Sequence, residues 1–159
     1  MSNIAAPGVT ELYIYNRQKG YCIDRHLLRQ ITEALLQREL GLKRYDLGIY
    51  LVGSKKSAEI NSSYLGHEGP TDVITFPYDS PANLLHGELF VCIEVAELQS
   101  HEFNTSWQQE LIRYVVHGVL HLQGYDDLTS EKRKKMKRVE DQLVKRLETM
   151  FQLSALGKV

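Results

Sequence analysis

The segment from Trp107 to Leu122 constrains the fold more than any other part of the chain. Trp107, Leu111, Val115, Val116, Val119 and Leu120 recur at helical spacing and leave little polar surface, and Ser106 stands before them as an N-cap. A helix so apolar around its circumference must be surrounded by other elements, so the segment predicts a central buried helix. That helix also carries His117 and His121. Positions i and i+4 lie one above the other on a helix, so both imidazoles can address one point. Gly124 can take the left-handed conformation that ends a helix, which lets the chain turn back. Asp127 follows His117 by ten residues, with the glycine at the seventh, a spacing shared with long zincin-type signatures. Two imidazoles and one carboxylate leave a fourth position for water, as catalytic zinc requires. Burial of the helix would keep the histidine pair rigid.

Other readings of the same residues stand beside this one. Histidines in apolar helices also occur as hydrogen-bonded core residues. Asp126 or Asp127 also fits as a cap for the helix that follows. One position narrows the chemistry: His-Glu-x-x-His metalloproteases place a general base directly after the first His, and this chain has Gly118 there. An ordinary zinc protease is therefore not expected.

Around this helix the chain reads as α+β, without internal repeats, low-complexity stretches or an interdomain linker. Leu12 to Tyr15 predicts a first strand. Asp24 can cap a helix running to about Leu40, with Leu27, Leu28, Ile31, Leu35 and Leu36 on its apolar face and Gly41 as its stop. Leu47 to Val52 and Val73 to Phe76 are further strands, separated by a short helix from Ser57 to Tyr64 and a turn containing Gly66, Gly69 and Pro70. Ser80 to His86 reads as a loop, Glu88 to Ile93 as the fourth strand, and Glu94 to His101 as a helix. In the last helix Met136, Val139, Leu143, Leu147 and Met150 form a packing stripe.

With 159 residues, 43% of them hydrophobic and 25% charged, the chain can bury a core as one compact domain over 1–159. Met1 to Gly8 lacks a basic start and an apolar run, and no stretch reaches membrane-spanning length. Cys22 and Cys92 are too few and too far apart for a disulfide framework, so reduced core thiols in a cytoplasmic protein are expected.

The net charge of −1 conceals an uneven distribution. Lys132, Arg133, Lys134, Lys135, Lys137 and Arg138 place six basic residues in seven positions, leaving 13 basic against 20 acidic residues elsewhere. The run lies in the first turns of a helix starting near Thr129, where like charges repel and the helix dipole favours acids. Such a break of a local rule points to a polyanionic partner, although a solvated amphipathic face has the same pattern.

The run His117-Gly118-Val119-Leu120-His121-Leu122-Gln123-Gly124-Tyr125-Asp126-Asp127 resembles the signature of the YbeY family of bacterial metal-dependent endoribonucleases. Asn61-Ser62-Ser63-Tyr64 and Pro70-Thr71-Asp72-Val73-Ile74-Thr75-Phe76-Pro77 resemble two further family blocks. Gly87-Glu88 sits where the family has Gly-Asp, and Met136 with Glu140 matches its last helix. The chain departs from the pattern twice, with Asp127 in place of a third His and Leu65 in place of an Arg after the Asn-x-x-Tyr block.

The resemblance implies a small mixed four-stranded sheet packed with about five helices, the metal helix lying beneath a substrate cleft. It further implies a single-strand-specific endoribonuclease acting in 16S rRNA 3′ maturation and ribosome quality control at the small ribosomal subunit. The implied site has one zinc per chain on His117, His121 and Asp127, which would activate water or polarise the scissile phosphate. The carboxylate ligand also admits Mn or Fe. No dedicated general base is identifiable. Asp72, Glu88, Lys132 and Arg133 are candidate substrate contacts. Asp72 also fits a turn residue, and Glu88 also fits a solvent-exposed strand position. Leu65 cannot make the bidentate phosphate contact of an arginine. A ribosome-biogenesis binding factor with a structural metal, or a metallohydrolase of another substrate, therefore stand as rival expectations.

Overall fold

Strand β1 (Thr10–Asn16) opens the fold in a computed structural model that describes residues 9–81 and 83–158. The expectation about Met1 to Gly8 lies outside the described residues. A short strand β2 (Cys22–Ile23) precedes α1 (Arg25–Glu33), which Asp24 caps by accepting from the Leu27 N–H at 3.0 Å. The helix continues as a π-helical stretch over Ala34–Glu39, so the segment expected as one α-helix widens in its final turns. Then follow β3 (Tyr45–Val52), α2 (Ser54–Leu65), β4 (Val73–Pro77), β5 (Leu85–Cys92), α3 (Ile93–Phe103), α4 (Trp107–Leu122) and α5 (Ser130–Met150). A 3₁₀ turn over Leu153–Leu156 leads into β6 (Gly157–Lys158), which pairs antiparallel with β2.

The main sheet has the order β1-β3-β5-β4, with β1, β3 and β5 parallel and β4 antiparallel at the edge. This is the expected mixed four-stranded sheet with five α-helices. Leu12, Ile14, Leu47, Ile49, Leu89 and Val91 share one face and are all buried. Their strand neighbours Tyr13, Tyr15, Tyr50 and Phe90 point to the other face, because side chains alternate along a strand.

Helix α4 lies on the first of these faces. Its N-terminus is a capping box, in which the Gln109 N–H donates to Ser106 Oγ at 3.1 Å and the Ser106 N–H donates to Gln109 Oε1 at 2.9 Å. Ten of its sixteen residues are buried, as a central helix requires. Gly118 explains how closely it approaches the sheet. A Cβ there would stand 2.6 Å from Leu89 Cδ2, nearer than two carbons can come. The position after the first histidine thus faces β5, where any side chain would meet Leu89.

Two further expectations change. Strand β5 begins at Leu85 instead of Glu88, because it keeps register with β3 from the Tyr45↔Leu85 pair onward. Cys22 is exposed on the two-residue strand β2, which pairs only with the equally short β6 among the described residues, while Cys92 is buried as expected.

Candidate metal centre

His117 and His121 lie on the flank of α4 beside the face that carries Gly118, both half-buried. Their Nε2 atoms face each other at 3.1 Å, with the rings at 76° to one another. The opposite nitrogens decide what those atoms are. His121 Nδ1 lies 3.0 Å from the Tyr125 carbonyl oxygen, which can only accept, so Nδ1 carries the proton. His117 Nδ1 lies 2.7 Å from Glu140 Oε1 and donates to that carboxylate. In the neutral rings both Nε2 atoms are therefore bare lone pairs aimed at one point. Two nitrogens bound to one tetrahedral zinc at 2.0–2.1 Å stand about 3.3 Å apart, close to the spacing here. Two lone pairs held face to face repel unless a cation or proton lies between them. The donor set fits a metal.

The turn after α4 supplies the third donor. Gly124 has φ +100°, and the Tyr125 and Gly124 N–H groups donate back to the Leu120 and His121 carbonyls at 3.0 Å each. This is a Schellman closure, and only the left-handed residue permits it without strain. It swings Asp127 round so that its carboxylate and the two imidazole nitrogens lie within 4.8 Å of one another. The two aspartates differ in their partners. Asp126 accepts from the Leu128 N–H at 3.0 Å and from Lys132 Nζ at 3.3 Å, which holds its carboxyl below the usual aspartate range. Neither aspartate caps α5; Thr129 does, accepting from the Lys132 N–H at 3.1 Å.

Glu140 orients the first histidine from the facing helix α5. It is 7% exposed, and its second oxygen accepts from Arg113 at 2.9 Å, while Arg113 also donates to Asp141 at 2.6 Å. Ligating histidines are held by such partners on the ring nitrogen away from the metal. Burial alone would lower the His117 pKa. The Glu140 hydrogen bond and charge, with the charges of Asp72 and Asp127, outweigh it and hold the pKa above its ordinary value. Sequence reasoning gave Glu140 no role, although a signal existed: it is a carboxylate within the inward stripe of Met136, Leu143, Val144 and Leu147. Arg113, one turn before His117 on α4, was missed for want of any motif.

Cavities open on this group from two sides. One of about 370 Å³ lies between α3, α4, α5 and the start of β4, and Asp72, Arg113, Tyr114, His117, Lys137 and Glu140 are among its lining residues. A smaller one of about 130 Å³ is lined by His117, Asp127, Arg133, Met136, Lys137 and Glu140. Asp72 and Arg133 are thus brought to the histidines. Asp72 Oδ1 accepts from the Val73 N–H at 2.7 Å and from Thr71 Oγ1 at 3.1 Å, so the residue also shapes its own turn. Lys132 is drawn aside to Asp126 and lines a separate cavity over Tyr125 and Lys135. Glu88 is not brought to the histidines. Its parity on β5 sets it on the face away from α4, where Tyr78 donates to its carboxylate and Tyr50 is bonded to it. Leu65 ends α2 with 48% of its surface exposed.

With this geometry in view, similarity to known proteins is decisive. A family model described as Endoribonuclease YbeY matches residues 13–148. The chain belongs to the YbeY family. A Chlorobium luteolum protein named Endoribonuclease YbeY is 39% identical over 137 residues, spanning 86% of this chain and 98% of its own. A protein of the same name from Chlorobaculum tepidum is 38% identical over 136 residues, spanning 86% and 97%. The solution structure of TM1509 from Thermotoga maritima superposes with a TM-score of 0.65 at 28% identity, covering 89% of this chain and 91% of that one. The YbeY membership and the mixed-sheet fold agree. No helix among the described residues is long and apolar enough to cross a membrane.

Proposed function

We propose that this YbeY-family chain is a zinc-dependent endoribonuclease that cleaves single-stranded RNA, acting in 16S rRNA 3′-end maturation and quality control on the small ribosomal subunit in the cytoplasm. The observation that carries the reading is the pair of facing Nε2 lone pairs, each fixed by a hydrogen bond on the opposite ring nitrogen. His117, His121 and Asp127 would hold one zinc per chain, with Mn or Fe admitted by the carboxylate. When bound there, such an ion supplies Lewis acidity towards a phosphate oxygen or a water.

The chain's own residues do the remaining work. Glu140 keeps the proton on His117 Nδ1, and the Tyr125 carbonyl keeps the one on His121 Nδ1, so neither ring can turn its lone pair away. Arg113 holds Glu140 in place and balances its charge. Asp72 borders the larger cavity with His117 and would meet substrate there. Because both cavities reach His117, which keeps 28% of its side-chain surface exposed, the centre is open, which favours an enzyme over a purely structural metal. The rival reading, a binding factor with reduced catalysis, has Leu65 in its favour, since that position offers no cation to a phosphate.

Elemental analysis of gently purified protein, followed by cleavage assays on single-stranded and duplex RNA, tests the proposal. About one zinc per chain and cleavage confined to single strands, lost in His117→Ala, is the expected result. A chain that is isolated metal-free and takes up no zinc in titration overturns it. Zinc binding with no cleavage under any metal leaves the binding factor.

A further inference from the structure

The basic run on α5 is not one uniform patch, because its members have different partners. Lys132 is paired with Asp126 at 3.3 Å, and Lys135 lies 5.9 Å over the Tyr125 ring. Arg133 and Lys137 are one helical turn apart, so they share a face. Both border the 130 Å³ cavity, together with the ligand side chains of His117 and Asp127. Among the described residues Arg133 has no ion-pair partner. Lys137 has only Asp141 at 3.7 Å, with 68% and 49% of the two side chains exposed, and such an exposed pair contributes little. Asp141 is in any case engaged by Arg113 at 2.6 Å. Lys137 also lines a further groove of about 460 Å³ with Lys134, Arg138 and Lys145, against the single acid Asp141. Two cations with no strong anionic partner are thus held at the mouth of the candidate metal centre, and a more basic groove leads away from it.

We infer that Arg133 and Lys137 form a phosphate-binding subsite for the sugar–phosphate backbone of single-stranded RNA, and that the Lys134–Arg138–Lys145 groove carries the adjoining phosphates. The inference rests on the endoribonuclease reading and specifies its substrate path. A guanidinium donates two hydrogen bonds to a phosphate and an ammonium adds a mobile charge, so the pair suits a phosphodiester drawn up beside His117 and Asp127. The subsite also accounts for a helix that begins with repelling charges: an incoming polyanion offsets that repulsion. Lys132, tied to Asp126, does not belong to it.

The test uses the full chain and a short fluorescent oligoadenylate, with binding read by anisotropy across a salt series and cleavage read in the same samples. Arg133→Ala with Lys137→Ala should flatten the slope of log affinity against log salt by about 1.4, at about 0.7 per lost single-strand contact. Zinc content should be unchanged. Lys19→Ala, on the exposed turn between β1 and β2, should leave the slope as in wild type. Arg133→Lys should restore part of it. If wild type binds with a clear salt dependence and cleaves, while the double variant has the same slope, the subsite is wrong and the nuclease reading survives. If wild type neither binds nor cleaves, both fall together.

Discussion

On one face of the main sheet Leu47, Ile49, Leu89 and Val91 close against α4, and the candidate metal ligands His117 and His121 lie along one flank of that helix. On the other face Tyr15, Tyr50, Phe90 and Phe76 form a continuous row of rings with centroids 4.6 to 5.6 Å apart. Arg17 lies 5.4 Å over the Tyr15 ring at one end. Both faces come from the same strands, one residue out of step. The α4 face is fully covered and gives a rigid bed, so a small displacement there is transmitted to the histidines. The aromatic face is partly solvated and holds Glu88 between the Tyr50 and Tyr78 hydroxyls, remote from the site. Sensitivity at the metal should therefore follow the face a residue belongs to and not its position along the strand.

The largest contrast is between two carboxylates. Glu140→Ala removes the acceptor of the His117 Nδ1 proton and should weaken zinc binding about 10–100-fold, whereas Glu88→Ala should leave it unchanged. Competition with a chromophoric chelator measures both. An equal loss in Glu88→Ala would break the comparison.

Packing gives the next contrast. Gly118→Ala drives a methyl into Leu89, which is fully buried, and should cost about 1–3 kcal/mol in urea unfolding. Gly48→Ala, on the aromatic face, meets nothing nearer than 3.4 Å and should cost far less. Comparable losses at both positions would mean that α4 is not seated as described.

Titration sharpens the same division. The folded-state pKa of His117 lies above its ordinary 6.5, so in the metal-free protein the protonated ring contributes stability below pH 6.5 that is lost as pH rises through the folded value. Zinc competes for that proton. Its affinity should fall as pH drops through the raised value, by at most about tenfold per pH unit for one displaced proton. A zinc affinity flat down to pH 6.5 would contradict this. On the aromatic face the Tyr50 hydroxyl, bonded to Glu88 and partly buried, is pushed up to about 12. Ultraviolet titration of Glu88→Gln should return it towards 10 without affecting zinc. This is the smallest effect.

Much of the site was legible because it is local. The His117–His121 spacing, the Gly124 turn and the apolar surround of α4 all lie within one short segment, where helical geometry alone fixes directions. The spacing from His117 singled out Asp127, but the engagement of Asp126 by Lys132 and the Leu128 N–H shows only after folding. Glu140 and Arg113 come from facing helices and meet only through packing. The alternation of Leu89 and Val91 sets Glu88 opposite to them, but Phe90 on the same side as Glu88 is apolar too, so the pattern alone did not say which face met α4. The early start of β5 was hidden by Gly87, which reads as a turn residue in isolation. The β2–β6 pair is too short to have any periodicity.

The central claim is that two Nε2 lone pairs meet at one metal position while their Nδ1 protons are held by Glu140 and the Tyr125 carbonyl. Long-range ¹⁵N–¹H NMR of histidine-labelled protein tests it most directly. Above the His117 pKa both rings should be Nδ1–H tautomers without metal, and one equivalent of zinc should shift both Nε2 resonances while the Nδ1 protons remain. An Nε2–H tautomer at His121, or zinc that leaves either Nε2 unmoved, would contradict the account.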